Sequence, residues 1–178
     1  MRHIPNLLTV LRIALTPVIV WAILAGRLRE ALYWCIAAGL SDAVDGWIAR
    51  HYQASSRLGQ ILDPIADKLM QGAVFLALGY TGAVPVVLVA LIFGRDLILL
   101  IGAALLWALG KHTEFPPSFW GKVSTIFQVF TAFFVLAELD SRIQAFAFAQ
   151  TMVATGGSGL HYMWRAVQWL RTGRHSPN

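Results

Sequence analysis

The sequence predicts an all-α polytopic membrane protein: a bundle of six transmembrane helices with both termini on the cytoplasmic side. Three observations predict it. The 178 residues are 57% hydrophobic and 13% charged, whereas globular chains run to roughly a quarter charged, and mean hydropathy is +0.63. The apolar residues gather in six runs, at about 5–26, 31–50, 60–80, 84–109, 118–139 and 143–170, each close to the roughly 20 residues that cross a bilayer. The basic residues are asymmetric. Arg2, Arg50, Arg57, Lys111, Lys122, Arg171 and Arg174 fall on one side of such a bundle, and Arg27, Arg29 and Arg142 on the other, which places the first set in the cytoplasm.

Each joint follows from breakers and charge. Gly26-Arg27-Leu28-Arg29-Glu30 separates the first two runs, and His51 to Leu58 reads as a polar loop. Tyr80-Thr81-Gly82-Ala83 before Pro85 reads as a tight turn. Lys111 to Pro117 and Glu138-Leu139-Asp140-Ser141-Arg142 supply the last two joints. With no internal repeat or linker, residues 1–178 read as one membrane domain. Arg12 and Pro17 interrupt what would be the apolar region of a signal peptide, so the first run reads as a retained helix. A single cysteine, Cys35, excludes a disulfide scaffold. The net charge of +5 and the pI of 9.9 mark the cytoplasmic side of a bilayer and not a nucleic-acid partner.

The nine acidic residues are sorted by depth. Glu30, Glu114, Glu138 and Asp140 lie in joints, whereas Asp42, Asp45, Asp63, Asp67 and Asp96 lie inside apolar runs. One unpaired aspartate at mid-bilayer costs ~2.5–3.5 kcal/mol, so the first four intramembrane acids together cost on the order of 10 kcal/mol. Asp42 and Asp45 are three apart on the second helix, and Asp63 and Asp67 four apart on the third, so each pair shares a face. If the two helices are neighbours, four carboxylates converge and need cations among them. An all-oxygen set without Cys or His selects magnesium, manganese or calcium over zinc. Two divalent ions would balance four carboxylates. The plainer reading pairs single aspartates with Lys68, Arg50 or Arg57.

The residues around the aspartates have two readings each. Gly46 and Ala49 either let a ligand approach the backbone or pack a neighbouring helix closely. Arg50 either meets phosphate or reaches the headgroups. Asn6, Thr9, Arg12 and Thr16 form a polar stripe on the first helix, favoured as inward-facing with Arg12 near an anionic ligand. Arg95 and Asp96 interrupt the fourth run, either as a self-satisfied pair or with Asp96 orienting Arg95 toward a second substrate. Lys122, followed by Ser124, Thr125 and Gln128, opens the fifth helix, and with Arg95 and Arg57 it would form a basic rim for an anionic acceptor. Gly156-Gly157-Ser158-Gly159 reads as a close-packing surface, and His161, Tyr162 and Arg165 as an interfacial belt.

Written out, Asp42-x2-Asp45-Gly46-x2-Ala49-Arg50-x8-Gly59-x3-Asp63-x3-Asp67 matches the signature of the CDP-alcohol phosphatidyltransferase family at all eight specified positions, and the chain resembles that family. The resemblance implies a six-helix homodimeric enzyme that moves a phosphatidyl group from CDP-diacylglycerol to an acceptor hydroxyl and releases CMP. It makes Asp42, Asp45 and Asp63 ligands of two divalent ions, Mg2+ or Mn2+. Asp67 would complete the cluster and act as general base. Gly46, Ala49, Arg50 and Gly59 would line the donor nucleotide pocket, with Asn6, Thr9 and Arg12 added to it from the first helix.

Within the family, Ile4-Pro5-Asn6-Leu7-Leu8-Thr9 and Leu62-Asp63-Pro64-Ile65-Ala66-Asp67-Lys68 look like the branch of phosphatidylglycerophosphate and cardiolipin synthases. Gly94-Arg95-Asp96 with Lys122-Val123-Ser124-Thr125-x2-Gln128 is more similar to the cardiolipin synthases. The expectation is phosphatidylglycerol as acceptor, with glycerol 3-phosphate as the alternative, at the cytoplasmic face of a bacterial inner membrane. Intramembrane prenyltransferases are longer and carry two separated Asp-rich motifs. An ion or proton transporter using the acids as a relay would spread them through the bilayer, whereas four of them sit near one edge.

Overall fold

In a computed structural model, the described residues, 4–52, 57–108 and 119–172, form six α-helices: α1 (Ile4–Leu24), α2 (Leu28–Tyr52), α3 (Arg57–Tyr80), α4 (Val86–Ala108), α5 (Phe119–Leu136) and α6 (Ser141–Thr172). Side chains are described outside 4–10, 42–64, 103, 105–108, 165–167 and 169–172. The six helices coincide with the six predicted runs. The polar loop expected from His51 starts later: α2 continues through His51 and Tyr52, and α3 begins at Arg57. Polarity alone does not end a helix, and neither glycine nor proline occurs between Trp47 and Leu58. α1 carries Pro17 in its interior.

The helix ends are set by local chemistry. After α1 the chain turns with Gly26 at φ +73°, while Gly26 N–H donates to the Ile23 carbonyl and Arg27 N–H to that of Ala22. This wraps the last carbonyls of the helix in the manner of a Schellman cap. Gly82, at φ +76°, plays the same part after α3. The turn after α5 places Glu138 at φ 52° without being glycine, and Leu139 N–H reaches back to the Phe134 carbonyl. The Glu138 carboxylate accepts from Arg29 Nε at 2.9 Å, which ties this turn to the start of α2.

The chain divides into two compact units, Met1–Val84 with Ala132–Leu139, and Pro85–Thr131 with Asp140–Asn178. In the first, α1 packs on both α2 and α3. Ile19, Ala22 and Ile23 of α1, Ala31 and Ala38 of α2, and Val74, Phe75 and Leu78 of α3 form its buried core. Arg12 lies seven residues before Ile19, on the same inward stripe, and is 4% exposed. In the second unit α4 packs on α6, and Leu88, Val89 and Ile92 of α4 and Ala154 and Tyr162 of α6 are buried.

Among the described residues, Phe119–Leu136 is the helix that is long and apolar enough to cross a membrane. Large apolar side chains are turned outward on every helix: Trp21, Leu40, Leu76, Leu100, Phe130 and Val153 are all at least half exposed. A monomer in water rarely presents so much apolar surface.

Candidate active site

The aspartate motif falls on helical backbone at both of its halves. Asp42 and Asp45 lie on α2, and Asp63 and Asp67 on α3, so the spacings of three and four bring each pair to one helix face. Asp45 precedes the end of α2 by seven residues and Asp63 follows the start of α3 by six, a matching depth of ~10 Å at 1.5 Å per residue. The five steps from Tyr52 to Arg57 reach at most ~18 Å, which keeps these helix ends close. The side chains of Asp42, Asp45, Asp63, Gly46, Ala49, Arg50, Gly59, Arg57, Asn6 and Thr9 lie outside the described residues. Among those that are described, no three His, Cys, Asp or Glu side chains gather as a metal site.

Asp67 is the motif acid with a described side chain. It is 55% exposed, and its Oδ1 accepts from Nη1 of the buried Arg12, joining α3 to α1. The Arg12 backbone carbonyl accepts from the Thr16 hydroxyl at 2.9 Å. A buried guanidinium requires a partner, and one partner here is the last acid of the motif. The inward face expected for Arg12 is therefore what the helix adopts, and it points Arg12 at Asp67, a pairing that spacing along the sequence does not reveal.

The second unit holds a polar cluster of another kind. Ser124, Gln128 and Thr131 on α5, and Thr151, Thr155 and Ser158 on α6, are all fully buried. Ser124 Oγ and Thr155 Oγ1 are 3.0 Å apart, and Gln128 Nε2 donates to both at 3.2 Å. Thr131 Oγ1 meets Thr151 Oγ1 at 2.7 Å, and the Thr151 hydroxyl donates to the Phe127 carbonyl at 3.1 Å. These bonds knit α5 to α6. Ser124 and Gln128 stand out in the sequence beside Lys122, whereas Thr131, Thr151 and Thr155 do not. Their spacing of four and three inside apolar runs, 124-128-131 and 151-155-158, was the available signal.

Arg95 on α4 is 7% exposed and donates from Nη1 to Asp96 Oδ1 at 2.6 Å. The pair forms but is not self-satisfied, because Arg95 Nε is buried without a hydrogen-bond partner. The guanidinium carbon lies 5.8 Å from the centroid of the Tyr162 ring. Lys122, expected beside Arg95 in a basic rim, is exposed.

Two expectations for α6 change. Tyr162 is 6% exposed and not a belt residue, since it packs under a buried arginine. The glycine run is not a uniform packing surface within the chain: Gly156 and Gly157 face open space, and Gly159 alone of the three meets a neighbour, the Arg95 side chain.

Residues 2–158 match the family model described as CDP-alcohol phosphatidyltransferase. The chain belongs to that family, whose members are membrane-associated and use divalent metal ions. It is 33% identical over 158 residues to a probable cardiolipin synthase (CMP-forming) of Drosophila melanogaster, covering 88% of this chain and 46% of the relative. It is 37% identical over 126 residues to a putative cardiolipin synthase of Mycobacterium tuberculosis, covering 68% and 58%. It is 36% identical over 129 residues to the CDP-diacylglycerol–glycerol-3-phosphate 3-phosphatidyltransferase of Aquifex aeolicus, covering 70% of each chain. The chain spans about half the length of the first two relatives.

The donor set suits such ions. The four motif acids offer hard oxygen donors on two helices, with no thiolate or imidazole among the motif positions. Asp67 keeps half of its surface accessible while bound to Arg12.

Proposed function

We propose that this protein transfers a phosphatidyl group from CDP-diacylglycerol to the hydroxyl of phosphatidylglycerol, forming cardiolipin and releasing CMP. The observation that carries the proposal is the complete eight-position motif set on α2 and α3 in a chain that belongs to this family. Asp42, Asp45, Asp63 and Asp67 would hold two divalent ions, Mg2+ or Mn2+. When bound, these supply positive charge for the donor pyrophosphate.

The remaining chemistry falls to the chain's own side chains. Asp67 accepts the proton of the acceptor hydroxyl, whose oxygen forms the new bond to the phosphatidyl phosphorus. The bond from that phosphorus to the oxygen bridging it to CMP breaks, and CMP leaves with the electron pair. Arg12 holds the Asp67 carboxylate in place and adds a buried positive charge beside the donor. Gly46, Ala49, Arg50 and Gly59, with Asn6 and Thr9, bind the cytidine diphosphate part, and Arg95, Lys122 and Arg57 face the acceptor.

The setting is one membrane domain over 1–178, crossing the bilayer six times with both termini and the active site cytoplasmic, in a homodimer of the bacterial inner membrane. Helices of 18 to 32 residues span at least ~27 Å each, and their outward apolar side chains suit lipid.

Ser124 supports phosphatidylglycerol as acceptor. In the glycerophosphate branch this position tends to be basic, whereas here it is fully buried and bonded to Thr155. Glycerol 3-phosphate is kept as the second reading because the Aquifex relative, 70% of whose length is covered, carries that name.

The full chain in detergent or nanodiscs, given CDP-diacylglycerol, magnesium and each acceptor in turn, is expected to make cardiolipin from phosphatidylglycerol with matching CMP. Product from glycerol 3-phosphate alone would overturn the choice of acceptor.

A further inference from the structure

We propose that Ser158 and Arg95 form a phosphate-oxygen site on α6 and α4, built for a singly charged phosphodiester in preference to a doubly charged phosphomonoester. It rests on the transfer reaction above only for the identity of that phosphodiester. Every residue concerned lies in the unit Pro85–Thr131 with Asp140–Asn178.

Thr151, Thr155, Ser158 and Tyr162 are spaced four, three and four residues apart, and so occupy one face of α6. Thr151 and Thr155 spend that face on hydroxyl partners from α5. Ser158 is one turn beyond Thr155 and also 0% exposed, yet its Oγ has no hydrogen-bond partner. Arg95 runs along the same turn. Its Cβ and Cγ each lie 3.9 Å from where a Gly159 side chain would begin, and its guanidinium stands over Tyr162. Positions 158 and 162 are about 6 Å apart on the helix, so the buried, unpartnered Arg95 Nε and the unpartnered Ser158 hydroxyl belong to the surroundings of one turn of α6.

Buried polar groups are nearly always paired. Two orphans beside one turn of α6, one of them a guanidinium carried in from α4, mark the place of an anionic oxygen. Gly159 allows the arginine stem to lie flat on α6, and Tyr162 holds the guanidinium plane from below.

Charge selects the ligand. Asp96 takes Nη1 at 2.6 Å and offsets the arginine, and Lys122 and Arg142 are exposed. Among the described residues of this unit, Arg95 is the buried cation. With Arg95 offset by Asp96, a phosphodiester leaves this setting with one net negative charge and a phosphomonoester leaves it with up to two, so the diester carries the smaller desolvation cost. Phosphatidylglycerol carries the first kind of phosphate and glycerol 3-phosphate the second.

The test measures binding to the full-length protein in detergent, without donor or metal, using dihexanoyl phosphatidylglycerol, glycerol 3-phosphate and inorganic phosphate as probes. Wild type is expected to bind the diester most tightly. Ser158→Ala and Arg95→Lys are each expected to weaken diester binding about tenfold, the order expected for losing a charged hydrogen bond. Thr131→Val removes a ladder hydroxyl two turns away and should leave binding within about twofold, which separates a ligand role from a structural one. Asp96→Asn should move preference toward glycerol 3-phosphate. Diester binding unchanged in both Ser158→Ala and Arg95→Lys, or equal wild-type affinity for inorganic phosphate and the diester, would overturn the site. Ser158-dependent binding in a protein that makes no cardiolipin would support the site and overturn the reaction proposed above.

Discussion

Arg12 and Asp67 form the residue-scale centre of the proposed chemistry, and their roles differ. Asp67→Asn is expected to lower transfer by about 10²–10⁴-fold, the range for a lost general base, and to weaken donor binding as well, because the same carboxylate would help to hold the ions that meet the donor pyrophosphate. This is checked by steady-state CMP release alongside donor affinity. Arg12→Gln removes the buried partner of Asp67 without removing the carboxylate. It should lower both thermal stability and turnover, whereas Arg12→Lys should recover part of each, because a lysine restores charge but not the geometry of the guanidinium. Full activity in Arg12→Gln would contradict the pairing as a working part of the site.

Helix ends and interhelical polar bonds decide the next level. Gly26→Ala meets no neighbour within 4 Å, so its cost is that of forcing a side chain into φ +73°, ~1–2 kcal/mol, measured by reversible unfolding in mild detergent. Between apolar helices in lipid, burial of apolar surface contributes little and polar contacts matter more. Thr131→Val, which loses the 2.7 Å contact to Thr151, should therefore cost ~0.6–1.7 kcal/mol, within the range of measured interhelical hydrogen bonds in bilayers.

The six helices were legible because apolar runs and breakers coincide, and the inward face of Arg12 because polar residues recur at helical spacing. The extension of α2 through Tyr52 was not, because charge marks exposure to water and not the end of a helix. Nor was the burial of Tyr162, since a tyrosine flanked by His161 and Arg165 has the same composition signal in a belt as beneath an arginine. Ser158 hid in a run of glycines that suggested packing. The spacing to Thr151 and Thr155 carried the information, while the residue types around it pointed elsewhere.

For the whole molecule, chemistry and setting meet in the outward apolar faces and the acids on α2 and α3. Chelation by EDTA is expected to abolish transfer, with magnesium or manganese restoring it, while helical content by circular dichroism stays unchanged, because the buried core of the first unit, with Ile19, Phe75 and Leu78, needs no metal to pack. The most direct measurement follows CMP and lipid product together in nanodiscs containing the full chain, CDP-diacylglycerol, magnesium and phosphatidylglycerol, with Asp63→Asn in parallel. Equimolar CMP and cardiolipin from wild type, with neither from Asp63→Asn, is the predicted result. Undiminished product from Asp63→Asn, or ion flux across liposomes without any release of CMP, would contradict it.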